Sequence, residues 1–446
     1  MAVDLRAHAG PTISVRTASL DGRTVILARI DSSPEPVTLG AEDANTLADA
    51  VATALDKQLP FVAVLEMTGV TVSDGLDVAD AWGRAARNLV RASGVIPVLM
   101  VAQGPMVSGT ALLLALADVV VFTNDAYAFV TGPKAVETYT GEPITIQALG
   151  GSGAHARSTG LASLIADDVD TALDLLGAVL GHLPNHVDQL PPTLATDDPL
   201  DRFTPEAGEL LPASPTGAYD VRHVIQAVVD DGEFLELRAS WAPNLVTGFA
   251  FLGGHSVGIV ANQTQALAGS IDIPASQKGA RFVAMCDAFN VPLVTMVDTS
   301  GFLPGKDLEW RGMIRHGAQL AFAYARATVP RIGLTLRKSY GGAYIVMDSR
   351  YMGNDLMLAW PSAEVAVMGA KGAVEILHRK DDAETRLLRE REYEAQFLTP
   401  YPAAERASIT AVIDPAETRR ELTAAISLLA TKRERLRPRR HDNTPL

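Results

Sequence analysis

The sequence predicts an α/β layered fold built as two similar halves, and three observations carry this. Apolar runs of strand length recur along the 446 residues, helical patterns lie between them, and three short motifs occur twice in the same order. Phe61–Leu65, Pro97–Val101, Pro292–Val297 and Arg331–Leu336 are short, nearly unbroken apolar runs, the length of strands buried on both faces. Ala41–Lys57 and Lys278–Phe289 carry helical patterns between such strands, and this alternation defines the α/β class. From Leu183 to Pro215 the rhythm breaks. Prolines are frequent there and acidic residues cluster, so the stretch reads as an extended connection. It places a first domain at 1–210 and a second at 211–446.

The halves read as copies. LEMTGV, with Glu66 and Gly69, matches VDTSGF, with Asp298 and Gly301. GPMVSGTALL then places Gly109 forty residues after Gly69, and KSYGGAYIV places Gly342 forty-one after Gly301. FVTGPKAVETY around Gly132 echoes VMGAKGAVEIL around Gly369. A shared function or a bare repetition of βαβ units would each leave this pattern.

Composition narrows the class. A net charge of −14 argues against nucleic acid as the main partner, because neutralising phosphates needs clustered Lys and Arg. No apolar run approaches the roughly 18 residues of a membrane span. MAVDLRAHAGPT lacks the basic and apolar regions of a secretory leader. The single cysteine, Cys286, permits neither an internal disulfide nor a thiolate zinc centre. These features point to a cytoplasmic protein without a metal. The basic stretch Lys432 to Arg440 reads as a solvated helix end or a subunit contact.

Each half offers a strand, a glycine-containing turn and a helix whose first amides lack intrahelical acceptors. Such a turn suits a developing oxyanion, because free N–H groups and the helix dipole both favour negative charge. The candidates are Ser108-Gly109-Thr110 in the first half and Gly341-Gly342-Ala343, backed by Gly301-Phe302, in the second. A tight-packing role is the alternative for a lone Gly-Gly turn. Two such turns imply two carbonyl oxygens that gain charge in one reaction. No P-loop, nucleophile elbow, H-E-x-x-H helix or EF-hand spacing occurs. GFLPG and GGHSVG do not fit a dinucleotide fingerprint. His316 is a lone acid–base candidate or a hydrogen-bonded helix histidine, Asp298 a strand-end tie for the Gly301 loop, and Cys286 a core residue. With no evident protein base, the pattern suits a reaction whose base comes with a cofactor.

GIVANQ (258–263), KGARFVAMCDAFNVPLVTMVDTSGFLPG (278–305), IRHGA (314–318), RKSYGGAYIVM (337–347) and AWPSAEVAVMGAKGAVEIL (359–377) resemble the propionyl-CoA and acetyl-CoA carboxylase β-subunit family. PYPAAERASITAVIDPAETRREL and the closing HDNTPL resemble it too. SGVIPV (93–98), GPMVSGTA (104–111), FVTGPKAV (129–136), GEPITIQALGG (141–151), HLPNH and YDVRHVIQAVVDDGEFLEL (219–237) are similar but less specific.

The resemblance implies two crotonase-like domains of the ClpP/crotonase ββα-superhelix type, assembled as a hexamer. It implies a site between the first half of one protomer and the second half of another. Acyl-CoA would lie on the first half, and biotin, carried as carboxybiotin by a partner that also brings the biotin carboxylase, would face the second. Amides at Phe302, Gly341, Gly342 and Ala343 would hold the biotin ureido oxygen. Those at Ser108 and Gly109 would hold the thioester carbonyl, with Thr110, Gly132 and Gly301 lining the substrate. Biotin itself would act as the base, so both oxyanion holes serve enolates. Ile345, directly after GGAY, would border the acyl pocket and resembles the acetyl- and propionyl-accepting members.

The first half departs from the pattern. Ser108-Gly109 stands where the family has Gly-Gly, EMTGVTVSDG (66–75) replaces a glycine-rich arginine-containing segment, and a Gly-Gly-Ser loop is reduced to PVTLGAE. Most of the segment that leads into the first half of the family is missing. A carboxyltransferase acting on a short-chain acyl-CoA is therefore expected. The alternatives are a decarboxylase-type carboxyltransferase acting on malonyl- or methylmalonyl-CoA and a non-catalytic companion subunit.

Overall fold

Two-residue hairpins open both halves, because their central residues can take positive φ. In the computed structural model, which describes residues 12–30, 37–432, 434–438 and 440–445, β1 (Ile13–Leu20) and β2 (Arg23–Ile30) pair antiparallel about Asp21 (φ 46°) and Gly22 (φ 73°). Asp-Gly is a favoured sequence for such a turn, whose twist matches that of the flanking strands. The N-terminal residues read for a leader lie, all but Thr12, outside the described residues.

The chain divides into two compact units. The first comprises residues 1–192, 237–241 and 288–290, and the second holds the rest. In the first unit the hairpin continues into parallel strands β3 (Phe61–Met67), β4 (Val98–Val107) and β5 (Val119–Thr123). β6 (Tyr127–Phe129) pairs with the far end of β4, and β7 (Leu164–Ala166) closes the order β1-β2-β3-β4-β5-β7. Helices α1 (Ala41–Lys57), α2 (Leu76–Ala92), α3 (Pro133–Thr140) and α4 (Val169–Leu180) connect or follow the strands. β3 is nearly all apolar and buried except for Glu66, as a central parallel strand covered on both faces must be.

Burial also sets a titration in this unit. His182 is 8% exposed, and desolvation pushes its imidazole down from 6.5 to about 4. The unfolded chain takes up this proton near pH 6.5, and the folded unit does so only near 4. The stability it contributes is therefore complete above the unfolded value and lost as pH falls through the folded one. The gap corresponds to about 3 kcal/mol. His182→Gln is expected to remove that part of the acid dependence, read as the wild-type-minus-variant difference in unfolding free energy between about pH 7 and about pH 4.

The second unit repeats the plan. After β8 (Phe234–Glu236) come the hairpin β9 (Leu245–Leu252) and β10 (His255–Asn262), turning at Gly253 (φ 61°) and Gly254 (φ 75°). GGHSVG is thus a hairpin turn whose amides donate to the Asp230 carboxylate at 2.8 and 2.7 Å. Helix α5 (Ile273–Ala288) leads to β11 (Leu293–Thr299), then come α6 (Met313–Arg326) and β12 (Arg331–Tyr340). The one-and-a-half-turn helix α7 (Gly341–Val346) leads to β13 (Leu356–Ala359) and β14 (Glu364–Ala366). Helix α8 (Ala370–Leu377), β15 (Ala411–Val412) and α9 (Thr418–Leu429) follow. The order is β15-β13-β12-β11-β10-β9-β8, with β14 on the end of β12.

Helix α5 begins five residues before the expected Lys278. Asp272 caps it by accepting the Ala275 amide at 3.0 Å, and Pro274 sits in the first turn where its missing N–H costs nothing.

The proline-rich connection is irregular but tied down. Val187 N donates to Val95 O, Leu194 N donates to Gly254 O, and Pro205–Glu209 forms one helical turn. Arg419, fully buried, donates to Pro199 O and pairs with Asp230, which holds residues 193–210 on the second unit. The C-terminal basic stretch is not a helix end: α9 stops at Leu429, and Lys432 pairs with Asp355 at 2.8 Å. Arg433 and Arg439 of that stretch lie outside the described residues. Among the described residues, no helix is long and apolar enough to cross a membrane.

Candidate active site

In the second unit the site is built where two neighbouring parallel strands end. β11 and β12 pair in register to Val297–Thr335, then shift so that Thr299 faces Ser339. Beyond β11, Gly301 adopts φ 141°, a conformation that side chains rarely take, and a Cβ there would meet only open space. Ile271 donates to Gly301 O at 3.0 Å, and Leu303 donates to Ile271 O at 2.9 Å. This pairing skips Phe302 N–H, which finds no acceptor among the described residues. Beyond β12, Gly341 turns at φ 55° into α7, whose first amides have no intrahelical acceptor.

The Phe302 ring spaces these parts. A Cβ built on Gly342 would come within 3.2 Å of the ring, and one on Gly317 of α6 equally within 3.2 Å. Two glycines therefore admit the ring between α6 and the start of α7.

Asp298 lies behind the turn, 2% exposed. Its carboxylate accepts from Tyr219 Oη (2.9 Å), Arg337 Nε (3.0 Å) and Lys338 N (3.1 Å). Arg337 also donates to Ser214 O and Gly217 O. Burial and the Asp298 charge both push the Tyr219 phenol up. A carboxylate engaged by three donors anchors the end of β12; the sequence reading made it a tie for the Gly301 loop, and its bonds run to Tyr219, Arg337 and Lys338 instead.

The first unit reproduces this geometry. β3 and β4 pair to Leu65–Ala102, then shift so that Met67 faces Met106. Gly69 has φ 138°. Leu39 donates to Gly69 O and Thr71 to Leu39 O, both at 2.9 Å, so Val70 N–H is skipped just as Phe302 N–H is. The matched shifts align Ser108 with Gly341, Gly109 with Gly342, Thr110 with Ala343 and Val70 with Phe302. Ser108 keeps the turn at φ 68°, in the left-handed region that favours glycine. A non-glycine residue in this region carries roughly 1–2 kcal/mol of strain.

Sequence reasoning missed Val70, because an apolar residue shows no chemical signature. The signal that identifies it is the repeat, since Val70 follows Gly69 as Phe302 follows Gly301.

The remaining candidates fall near these turns or away from them. Thr110 is buried, and its hydroxyl donates to Val107 O at 2.7 Å. Gly132 caps α3 as Gly369 caps α8, and both helices have eight residues. α3 follows β6, which pairs with Pro105–Val107 just before Ser108, and a Cβ on Gly132 would meet the Phe129 ring. Ile345 is 48% exposed and lines a largely apolar cavity of about 660 Å³ with Gly341, Gly342, Val365, Val367 and Tyr393.

His316 contacts Gln277 (3.2 Å), Gln319 (3.3 Å) and Arg315 (3.2 Å), which makes it a hydrogen-bonded helix histidine. Cys286 is fully buried, its thiol pushed well up by desolvation. No group of three His, Cys, Asp or Glu among the described residues could hold a metal ion.

Parallel strands that end, in each unit, in a turn with an unpaired amide give a crotonase-like fold whose turns suit a developing oxyanion. The model of the carboxyl transferase domain matches residues 4–444, and the chain belongs to that family. It is 40% identical over 437 residues to the carboxyltransferase subunit of propionyl-CoA carboxylase from Haloferax mediterranei, covering 96% of this chain and 84% of that one. It is 39% identical over 432 residues to the methylmalonyl-CoA decarboxylase subunit alpha of Veillonella parvula, covering 96% and 84%. The crystal structure of transcarboxylase 12S, a hexamer with methylmalonyl-CoA and methylmalonic acid bound, superposes with a TM-score of 0.96 at 37% identity. It covers 100% of this chain and 90% of that one. The beta5 subunit of a biotin-dependent acetyl-/propionyl-coenzyme A carboxylase from Mycobacterium tuberculosis is 40% identical over 446 residues, covering 96% of this chain and 81% of that one. Carboxyl transfer in biotin-dependent acyl-CoA carboxylases is the activity of the family.

Proposed function

We propose that this chain moves a carboxyl group between carboxybiotin on a carrier protein and the α-carbon of a short-chain acyl-CoA, acetyl- or propionyl-CoA. The observation that supports it is the matched pair of turns, each with an unpaired amide beside a residue at positive φ. The Phe302 amide and the open space over Gly301 fit a neutral carbonyl-type acceptor such as the biotin ureido oxygen.

When bound, biotin supplies the carboxyl group and the base. The chain's part is electrostatic. Phe302, Gly341, Gly342 and Ala343 amides hold the ureido oxygen. Val70, Ser108 and Gly109 amides hold the thioester oxygen as charge moves onto it. Donors fixed beforehand need no reorganisation when that charge develops. Thr110, Gly132 and Gly301 shape the substrate side, and Ile345 presents an apolar wall that suits an uncharged acyl group.

A hexamer like that of transcarboxylase 12S would bring a first unit of one protomer against a second unit of another. The carrier and the biotin carboxylase come from partner subunits, in the cytoplasm.

The test supplies the purified chain with a biotinylated carrier, its biotin carboxylase, ATP, bicarbonate and acyl-CoAs. Carboxylated acetyl- or propionyl-CoA is the expected product, and no product with any short acyl-CoA rejects the reading. The likeness to a decarboxylase subunit favours a second reading, transfer in reverse. Loss of carboxyl from methylmalonyl-CoA onto free biotin, with no forward activity, would establish it. Acyl-CoA failing to bind by calorimetry would leave a companion subunit.

A further inference from the structure

We infer that the Ser108 hydroxyl is a catalytic donor of its own, a further hydrogen bond to the thioester oxygen beside the backbone amides of the first-unit turn. This rests on the reading that the turn receives the acyl-CoA thioester.

Three observations on one residue point there. Ser108 holds φ 68° at the position where the second unit has Gly341 at φ 55°, so the first-unit turn carries a Cβ where the backbone disfavours one. Among the described residues nothing compensates for it. The side chain is exposed, and its oxygen makes no hydrogen bond among the described residues. The neighbouring hydroxyl differs, because Thr110 is buried and its donor is spent on Val107 O at 2.7 Å. Of the two hydroxyls in the turn, only Ser108 has a proton to offer a ligand.

The space around it is open. A Cβ built on Gly109 or Gly69 would meet nothing within 4 Å. Strain that local contacts do not repay, at a turn already carrying an unpaired amide, marks a position held for its interaction with something bound. A hydroxyl suits an oxygen that gains negative charge, since it donates without bringing a charge that would stabilise the ground state equally.

The experiment compares Ser108→Ala and Ser108→Gly with wild type in carboxyl transfer to acyl-CoA and in thermal unfolding. Both variants lack the hydroxyl, and only glycine relieves the strained backbone. The expected result is a fall in kcat of about 10²-fold for both, the lower end of the range for a lost oxyanion donor. KM should stay within about two-fold, because the bond strengthens only as charge develops. Tm should rise in Ser108→Gly alone.

A purely structural role for the serine predicts instead that glycine restores or raises activity, and that result overturns the inference. So does wild-type turnover in Ser108→Ala. A wild-type chain that transfers no carboxyl group overturns the underlying reading, and this inference with it.

Discussion

Replacing Asp298 with alanine is expected to destabilise the second unit by about 3–5 kcal/mol, the usual loss when one partner of a buried ion pair is removed. Asp298 and Arg337 are 2% and 8% exposed at their side chains, so solvent screens them little. The variant leaves the Arg337 guanidinium buried opposite a void and the Tyr219 hydroxyl and Lys338 amide without their acceptor. Lys338 lies on β12 just before the turn at Gly341, so catalysis should fall with stability. Urea unfolding of wild type and variant measures the effect. A change below about 1 kcal/mol, the range of exposed pairs, would show that the network does not anchor the strand. Asp298→Asn keeps an acceptor oxygen and should lose less.

Gly341→Val is expected to cost about 10²–10³ in kcat, the effect of losing an oxyanion donor. At φ 55° a β-branched residue is a backbone outlier. A Cβ there would also lie 3.0 Å from Val367 O, which is backbone and cannot swing aside. The turn must then open, carrying the Gly342 and Ala343 amides away from that of Phe302. Ser108 shows that the same turn tolerates a serine, so Gly341→Ser should be milder than valine. Steady-state carboxyl transfer reads both variants. Activity of Gly341→Val within about ten-fold of wild type would remove this turn from the hole.

Particular residues show how far the sequence could be read. Helix α1 spans Ala41–Lys57 just as its apolar pattern predicts, because an amphipathic stripe is a local property. β3 and β11 run two residues beyond their predicted apolar ends, through Glu66 and Asp298, since parallel pairing continues past the polar residue. β4 and β12 continue further, because each shifts register and takes up a second short partner, β6 or β14. Neither partner could be foreseen from three-residue runs. The Gly253-Gly254 hairpin was legible only as glycine richness, since a type of turn follows from what flanks it.

The sequence by itself determined the α/β class, the repeat, and the glycines Gly69, Gly109, Gly301, Gly341 and Gly342 that mark the turns. Hydrophobic pattern and backbone freedom are written residue by residue. Only the tertiary structure decided which amides are left unpaired. Val70 and Phe302 are free because Leu39 and Ile271, about thirty residues upstream of each, bond to the residues on either side and skip them. The fold also revealed that Ser108 takes the glycine conformation, since strand register and the 3₁₀ helix Ser108–Leu116 impose the backbone there at a local cost of roughly 1–2 kcal/mol.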